Sequence, residues 1–142
     1  MSADVDDLPG AAHEARQQIF DAGLAIRRQV LGADYVDNAL GRSHGTDSED
    51  MQRYVTEMVW GSVWTRPGLD RRSRSLVNLG MLVALGQLHE LGLHVRGSLR
   101  NGLSREEIVE AILHATAYCG APAGLAAMRI AQETLTDELG DR

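Results

Sequence analysis

Apolar and polar positions along this chain repeat with a helical period, and no alternating strand pattern competes with it. From Ala11 to Leu31, apolar Ile19, Ala22, Leu24, Ile26 and Val30 are interleaved with Arg and Gln, which predicts an amphipathic helix ending at Gly32. Residues 34–45 are poorly patterned and read as a loop or a short helix. Asp47 is placed to cap a helix running to about Trp60, with Met51, Tyr54, Val55, Met58 and Val59 as its apolar stripe. Gly61 to Leu69 reads as a turn beside Trp64. Asp70 then caps an apolar helix, Arg71 to Gly86, with Leu76, Leu79 and Val83 facing the core. Gln87 to Arg100 follows and stops at Asn101-Gly102. Ser104-Arg105-Glu106-Glu107 has the form of a capping box opening a helix to Tyr118. Gly120 and Pro122 break it, and Ala123 to Leu135 forms the last helix. The expected fold is all-α, an antiparallel bundle of about six helices.

With 142 residues the chain is expected to be one domain, residues 1–142, with frayed ends at 1–10 and 137–142. The net charge is −6 and the basic residues are scattered, so nucleic acid is not an expected partner. No run of apolar residues is long enough for a membrane span and no leader pattern is present, so a soluble, cytoplasmic protein without a membrane partner is expected. The single cysteine, Cys119, allows no internal disulfide and is expected to be a buried packing residue. His89 and His94 fall on different helix faces, and no metal site is expected. Arg71-Arg72-Ser73-Arg74 is either a solvated cluster or a holder for a small anion.

The most informative stretch is His89-Glu90-Leu91-Gly92-Leu93-His94-Val95-Arg96. On a helix, Leu88, Leu91, Val95 and Leu99 form a core face, while Gln87, Glu90, His94, Gly97 and Asn101 share a polar sector of roughly 80°. Glu90 and His94 lie one turn apart. A carboxylate beside an imidazole makes a proton-transfer pair, and the same spacing suits an ordinary surface pair worth a few tenths of a kcal/mol. Gly97 in that sector points to close approach of a ligand or of another helix. The chain has no lysine, so carbon-acid chemistry here proceeds without a Schiff base.

The run from Glu57 through Trp60-Gly61-Ser62-Val63-Trp64 to Leu76 resembles the carboxymuconolactone decarboxylase family. The resemblance continues through Glu90 to Arg96, Asn101 to Ile108 and Tyr118-Cys119-Gly120-Ala121-Pro122-Ala123, and it also takes in Val30-Leu31-Gly32. It implies an alkylhydroperoxidase D-like helical fold assembled as a homo-oligomer, a hexamer in preference to a trimer. It implies cofactor-free loss of carbon dioxide from 4-carboxymuconolactone to give the enol-lactone of 3-oxoadipate, in protocatechuate breakdown. The redox cysteines of the peroxidase branch fall at Gln87 and Glu90 and its relay glutamate near Ser75, so thiol-based peroxide reduction is excluded.

The lactone carries its own electron sink, the conjugated carbonyl, and needs no cofactor. An enzyme has to orient the carboxylates, stabilise a dienolate oxygen and supply one proton. On this reading His94 is the proton donor, Glu90 orients and charges it, and Arg74 binds a substrate carboxylate. Tyr118 or Trp64 donates to the dienolate oxygen, and Glu57 completes the polar lining. Each has a structural alternative: Trp60 and Trp64 as core or subunit-contact residues, Tyr118 as packing, Arg74 as the partner of an acidic neighbour. Two other functions fit the same residues: a family member redirected to another cyclic or polyketide-like biosynthetic substrate, and a non-catalytic ligand-binding oligomer. Glycines 80, 92, 97 and 124 leave room for a larger ligand or for helix packing.

Overall fold

A computed structural model describes residues 8–142, and every regular element in them is helical. Two compact units meet in the chain between Pro67 and Gly68. The first holds α1 (Leu8–Leu31), α2 (Ala33–Ser43), α3 (Glu49–Val55) and a π-helical turn, Thr56–Gly61. The second holds α4 (Arg71–Leu85), α5 (Leu88–Arg100), α6 (Arg105–Cys119) and α7 (Ala121–Leu139). Among the described residues no helix is long and apolar enough to cross a membrane.

In the first unit, α1 packs on the π-helical turn at backbone distance. A Cβ added at Gly23 would lie 2.3 Å from Thr56 O and 2.5 Å from Gly61 N, and one at Gly61 would lie 2.4 Å from Ile19 O. Only glycine fits either position. Arg27, buried on the same helix, donates from Nη1 to Thr56 Oγ1 at 2.9 Å and from Nη2 to Gln52 Oε1 at 2.8 Å. The helix expected from Asp47 to Trp60 is therefore divided. Ser48 takes the N-cap position, α3 ends at Val55, and the wider π turn follows. The expected apolar stripe is corrected with it: Met51, Tyr54, Met58 and Val59 are exposed, while Thr56, Trp60 and Gly61 are buried. The unpatterned stretch after Gly32 is α2, which buries Val36, Ala39 and Ser43.

The second unit is a bundle of four helices around Leu79, Val83, Leu91, Val95, Ile108, Ile112 and Leu135. Its starts follow local chemistry. The Asp70 carboxylate accepts Ser73 N–H at 2.7 Å, which also holds that carboxyl below its usual pKa, and Ser104 Oγ accepts Glu107 N–H at 3.1 Å. Gly86 ends α4 in the left-handed region at φ 66°. Between α6 and α7 the chain turns at Gly120, and a Cβ at Gly124 would lie 2.0 Å from Thr116 Oγ1. Gly124 and Gly92, the latter in van der Waals range of Ile130 and Thr134, thus serve helix packing, whereas Gly80 faces open space. The last helix runs past Leu135 to Leu139, and Arg96 Nε bridges Glu138 at 2.9 Å. The frayed C-terminal stretch expected from residue 137 is corrected for residues 137–139, which are helical, with Glu138 of α7 paired to Arg96 of α5. Of the N-terminal fraying expected over residues 1–10, residues 8–10 are corrected, since they form the start of α1, and residues 1–7 lie outside the described residues.

Candidate active site

Helices α4 and α5 run antiparallel and carry a row of polar side chains between them. At one end Asn101 Nδ2 donates to Ser75 Oγ at 2.9 Å, with Ser75 fully buried. Nearer the other end Asn78 Nδ2 lies 3.4 Å from His94 Nδ1. Ser98 Oγ donates to the His94 carbonyl at 2.6 Å and anchors the turn between them. His94 is 9 % exposed, and burial pulls its imidazole from 6.5 down to about 4. At neutral pH the ring is uncharged. Arg74 stands one turn before Asn78 on α4, half-buried, with its Nε enclosed by the protein.

The expected residues do not all converge on this row. Glu90 shares the α5 stripe with His94 but sits on the exposed first turn. The expectation that Glu90 charges His94 is corrected, since the imidazole is shifted by burial and toward its neutral form. Gly97 and His94 are buried and Asn101 is half-buried, so the polar sector passes from solvent at Gln87 into the protein.

Tyr118 is 82 % exposed at the end of α6, its ring tilted against His114 at 5.3 Å. It lines an open, largely apolar groove of about 580 Å³ between α4 and α6, together with Leu76, Gly80, Glu110, His114 and Cys119. His94 is not in its wall. Cys119, expected in the core, is exposed because α6 ends at this residue and the chain turns away at Gly120. In the first unit Glu57 is held by Arg53 Nε at 3.0 Å, and buried Trp64 stacks on Trp60 at 4.8 Å between ring centroids.

The arginine cluster resolves into different roles. Arg71 is exposed, Arg72 bridges Glu107, and Arg74 alone turns inward. Asn78 is not among the residues the sequence singles out, and Ser75 enters there only as the position of the peroxidase branch's relay glutamate. Their signal is two small polar residues, three apart, inside a core-packing helix where Asn has low helix propensity.

A neutral, buried imidazole beside hydrogen-bonding side chains and an inward guanidinium suits an anionic substrate that develops charge on oxygen during reaction. Among the described residues no group of three His, Cys, Asp or Glu side chains is placed to hold a metal. The chain is 46% identical over 124 residues to the nitrosuccinic acid decarboxylase npaB of Metarhizium robertsii, a match covering 87% of this chain and 86% of that protein. It is 40% identical over 121 residues to the 4-carboxymuconolactone decarboxylase of Acinetobacter baylyi, covering 85% of this chain and 90% of that one. The model of the carboxymuconolactone decarboxylase family matches residues 49–133, and the chain belongs to that family.

Proposed function

We propose that this protein is a cofactor-free carboxy-lyase whose substrate is a succinate dianion bearing an electron-accepting group on carbon 2. The observation that carries this reading is the neutral His94 in the α4–α5 row, with Arg74 one turn from its neighbour Asn78, in a chain whose relatives are decarboxylases of two different acids.

Those two acids share a skeleton. Nitrosuccinate is succinate with a nitro group on carbon 2. In 4-carboxymuconolactone the ring carbon bearing the departing carboxylate also bears a CH2-carboxylate arm, so it too is a succinate substituted at carbon 2. In each, the bond between that carbon and its carboxylate breaks and carbon dioxide leaves. The electron pair moves into the acceptor, giving a nitronate in one case and a dienolate in the other. One proton, net from solvent, then completes the product. It adds to that same carbon in the nitronate, and to the ring carbon next to the carbonyl in the dienolate. The latter leaves the enol-lactone double bond at the carbon that lost carbon dioxide. The acceptor oxygen is the atom that becomes negative, and catalysis consists of holding the two carboxylates and meeting that oxygen with a donor.

On this reading Arg74 holds the carboxylate that stays, as a planar bidentate cation does well. His94 donates to the acceptor oxygen as charge arrives. A neutral ring serves better here than a charged one, because an imidazolium would bind the ground-state dianion as strongly as the transition state. The catabolic reaction, 4-carboxymuconolactone to the enol-lactone of 3-oxoadipate, is one form of the proposal. Nitrosuccinate decarboxylation is the other, favoured by the higher identity to that relative.

A homo-oligomer is part of the same reading. Val77, Met81, Leu85, Leu113 and Leu125 are left exposed on the second unit, an amount of apolar surface that a second copy of the chain would cover.

The experiment is carbon dioxide release from nitrosuccinate, from 4-carboxymuconolactone and from the same acceptors lacking the CH2-carboxylate arm. Turnover of at least one dianion, with loss of about 10² or more in kcat/KM for its arm-less analogue, is expected. A folded protein that releases carbon dioxide from none of them refutes the proposal, and equal turnover with and without the arm refutes the substrate class.

A further inference from the structure

We propose that Asn78 is a positioning residue that fixes His94 as the Nε2–H tautomer, making the ring a hydrogen-bond donor toward the substrate. For its catalytic consequence this rests on the reading of His94 as the group that meets the acceptor oxygen.

An amide nitrogen carries only donors. Asn78 Nδ2 lies 3.4 Å from His94 Nδ1, so a bond between them requires Nδ1 to offer its lone pair. A neutral imidazole has one N–H, and with Nδ1 accepting, that hydrogen sits on Nε2. The arrangement is supported from both helices. Asn78 stands mid-helix on α4, three residues from Ser75, whose hydroxyl ties α4 to Asn101 at the C-terminal cap of α5. The Ser98 hydroxyl bonds the His94 carbonyl, which fixes the α5 turn from which the ring projects. The usual device for orienting a histidine is a carboxylate or carbonyl that accepts from Nδ1–H and leaves Nε2 a base. Asn78 as donor does the opposite. It leaves Nε2 a donor, which is what an acceptor oxygen gaining charge requires. On this arrangement the donor role of the ring does not call on Glu90, which is one turn away and exposed.

The test reads the tautomer directly. In protein labelled with 15N at histidine, the two ring nitrogens of His94 are assigned by comparison with the His94→Gln variant and recorded near neutral pH. Nδ1 is expected in the unprotonated range and Nε2 in the protonated range. Asn78→Asp presents only acceptors, and is expected to move the hydrogen to Nδ1 and lower kcat by about 10² or more with KM little changed. Asn78→Leu, which neither donates nor accepts, is expected to give a mixture of tautomers and a smaller loss, about tenfold.

Nδ1 protonated in the parent overturns the inference, because the amide would then present its oxygen. Unchanged His94 resonances in both variants overturn it too. The resonances are recorded without substrate, so they decide the tautomer even if none of the tested acids is turned over. An active decarboxylase with Nδ1 protonated would leave the proposed reaction standing and remove Asn78 from it.

Discussion

Ser75 Oγ accepts Asn101 Nδ2–H at 2.9 Å, joining the first turns of α4 to the end of α5 inside the protein. Ser75 is fully buried, so the bond has no water to replace it. Asn101 also reaches the Arg71 carbonyl at 3.5 Å, which places it as the tie between two helix ends. Ser75→Ala leaves the Asn101 amide without this acceptor and is expected to destabilise the fold by about 1–3 kcal/mol. Urea unfolding measures it. A variant as stable as the parent would mean the bond contributes nothing beyond packing.

Acid sensitivity follows from His94. Its folded pKa, about 4, lies below the 6.5 of an unfolded chain, so the unfolded state takes up the proton first as pH falls. Stability due to this group is therefore fully present above pH 6.5 and is lost as pH drops toward 4. By pH 5 the loss amounts to about 2 kcal/mol. The difference in urea stability between pH 7.5 and pH 5 is expected to shrink by about that amount in His94→Gln. An undiminished pH dependence in the variant would assign the acid sensitivity to other groups.

The helix starts at Asp70 and Ser104 were legible because a single side chain accepting from a backbone N–H three residues on is a local event. The end of α4 at Gly86 was legible for the same reason. The π-helical turn was not. It exists because Gly23 and Gly61 let two backbones touch, a long-range contact that leaves no periodicity in either segment. Once that turn is inserted, the stripe extrapolated from Met51 rotates off the buried side, and Thr56 and Trp60 take its place. Within the site, His94 stood out as a titratable residue beside a core face. Asn78 did not, because its role depends on which residue of another helix it meets.

Two glycines separate these causes. Gly23→Ala would drive its methyl into the Thr56 carbonyl and the Gly61 nitrogen, backbone atoms that move only with the whole turn. It is expected to lower stability by about 1–3 kcal/mol. At Gly80 nothing lies within 4 Å of the added Cβ, in the interior of α4, so Gly80→Ala is expected to raise stability by up to about 1 kcal/mol. Thermal unfolding of the two variants should move in opposite directions, and a shift of the same sign would contradict the packing described.

Self-association is expected to depend on the exposed apolar residues of α4 and α6. Met81 is 49 % and Leu113 57 % exposed, and a charge at either leaves the bundle core untouched. Met81→Glu with Leu113→Glu is expected to shift sedimentation toward the monomer while helical circular dichroism is kept. A parent that sediments as a monomer would remove the oligomer from the reading. A charged variant that assembles like the parent would move the contact to another face.

Kinetics divide the roles of His94 and Arg74. A donor that meets charge only in the transition state affects turnover more than binding. His94→Gln is therefore expected to lower kcat by about 10² or more with a small change in KM. Arg74 acts on a carboxylate present in both substrate and transition state, so its loss weakens both. Arg74→Ala is expected to raise KM by tenfold or more, with a smaller fall in kcat. Arg74→Lys should recover little, because a point charge does not reproduce the planar fork. If His94→Gln stays within threefold of the parent, the ring has no part in the reaction. If Arg74→Ala leaves KM unchanged, the guanidinium belongs to the scaffold of α4, and the carboxylate that stays is held elsewhere.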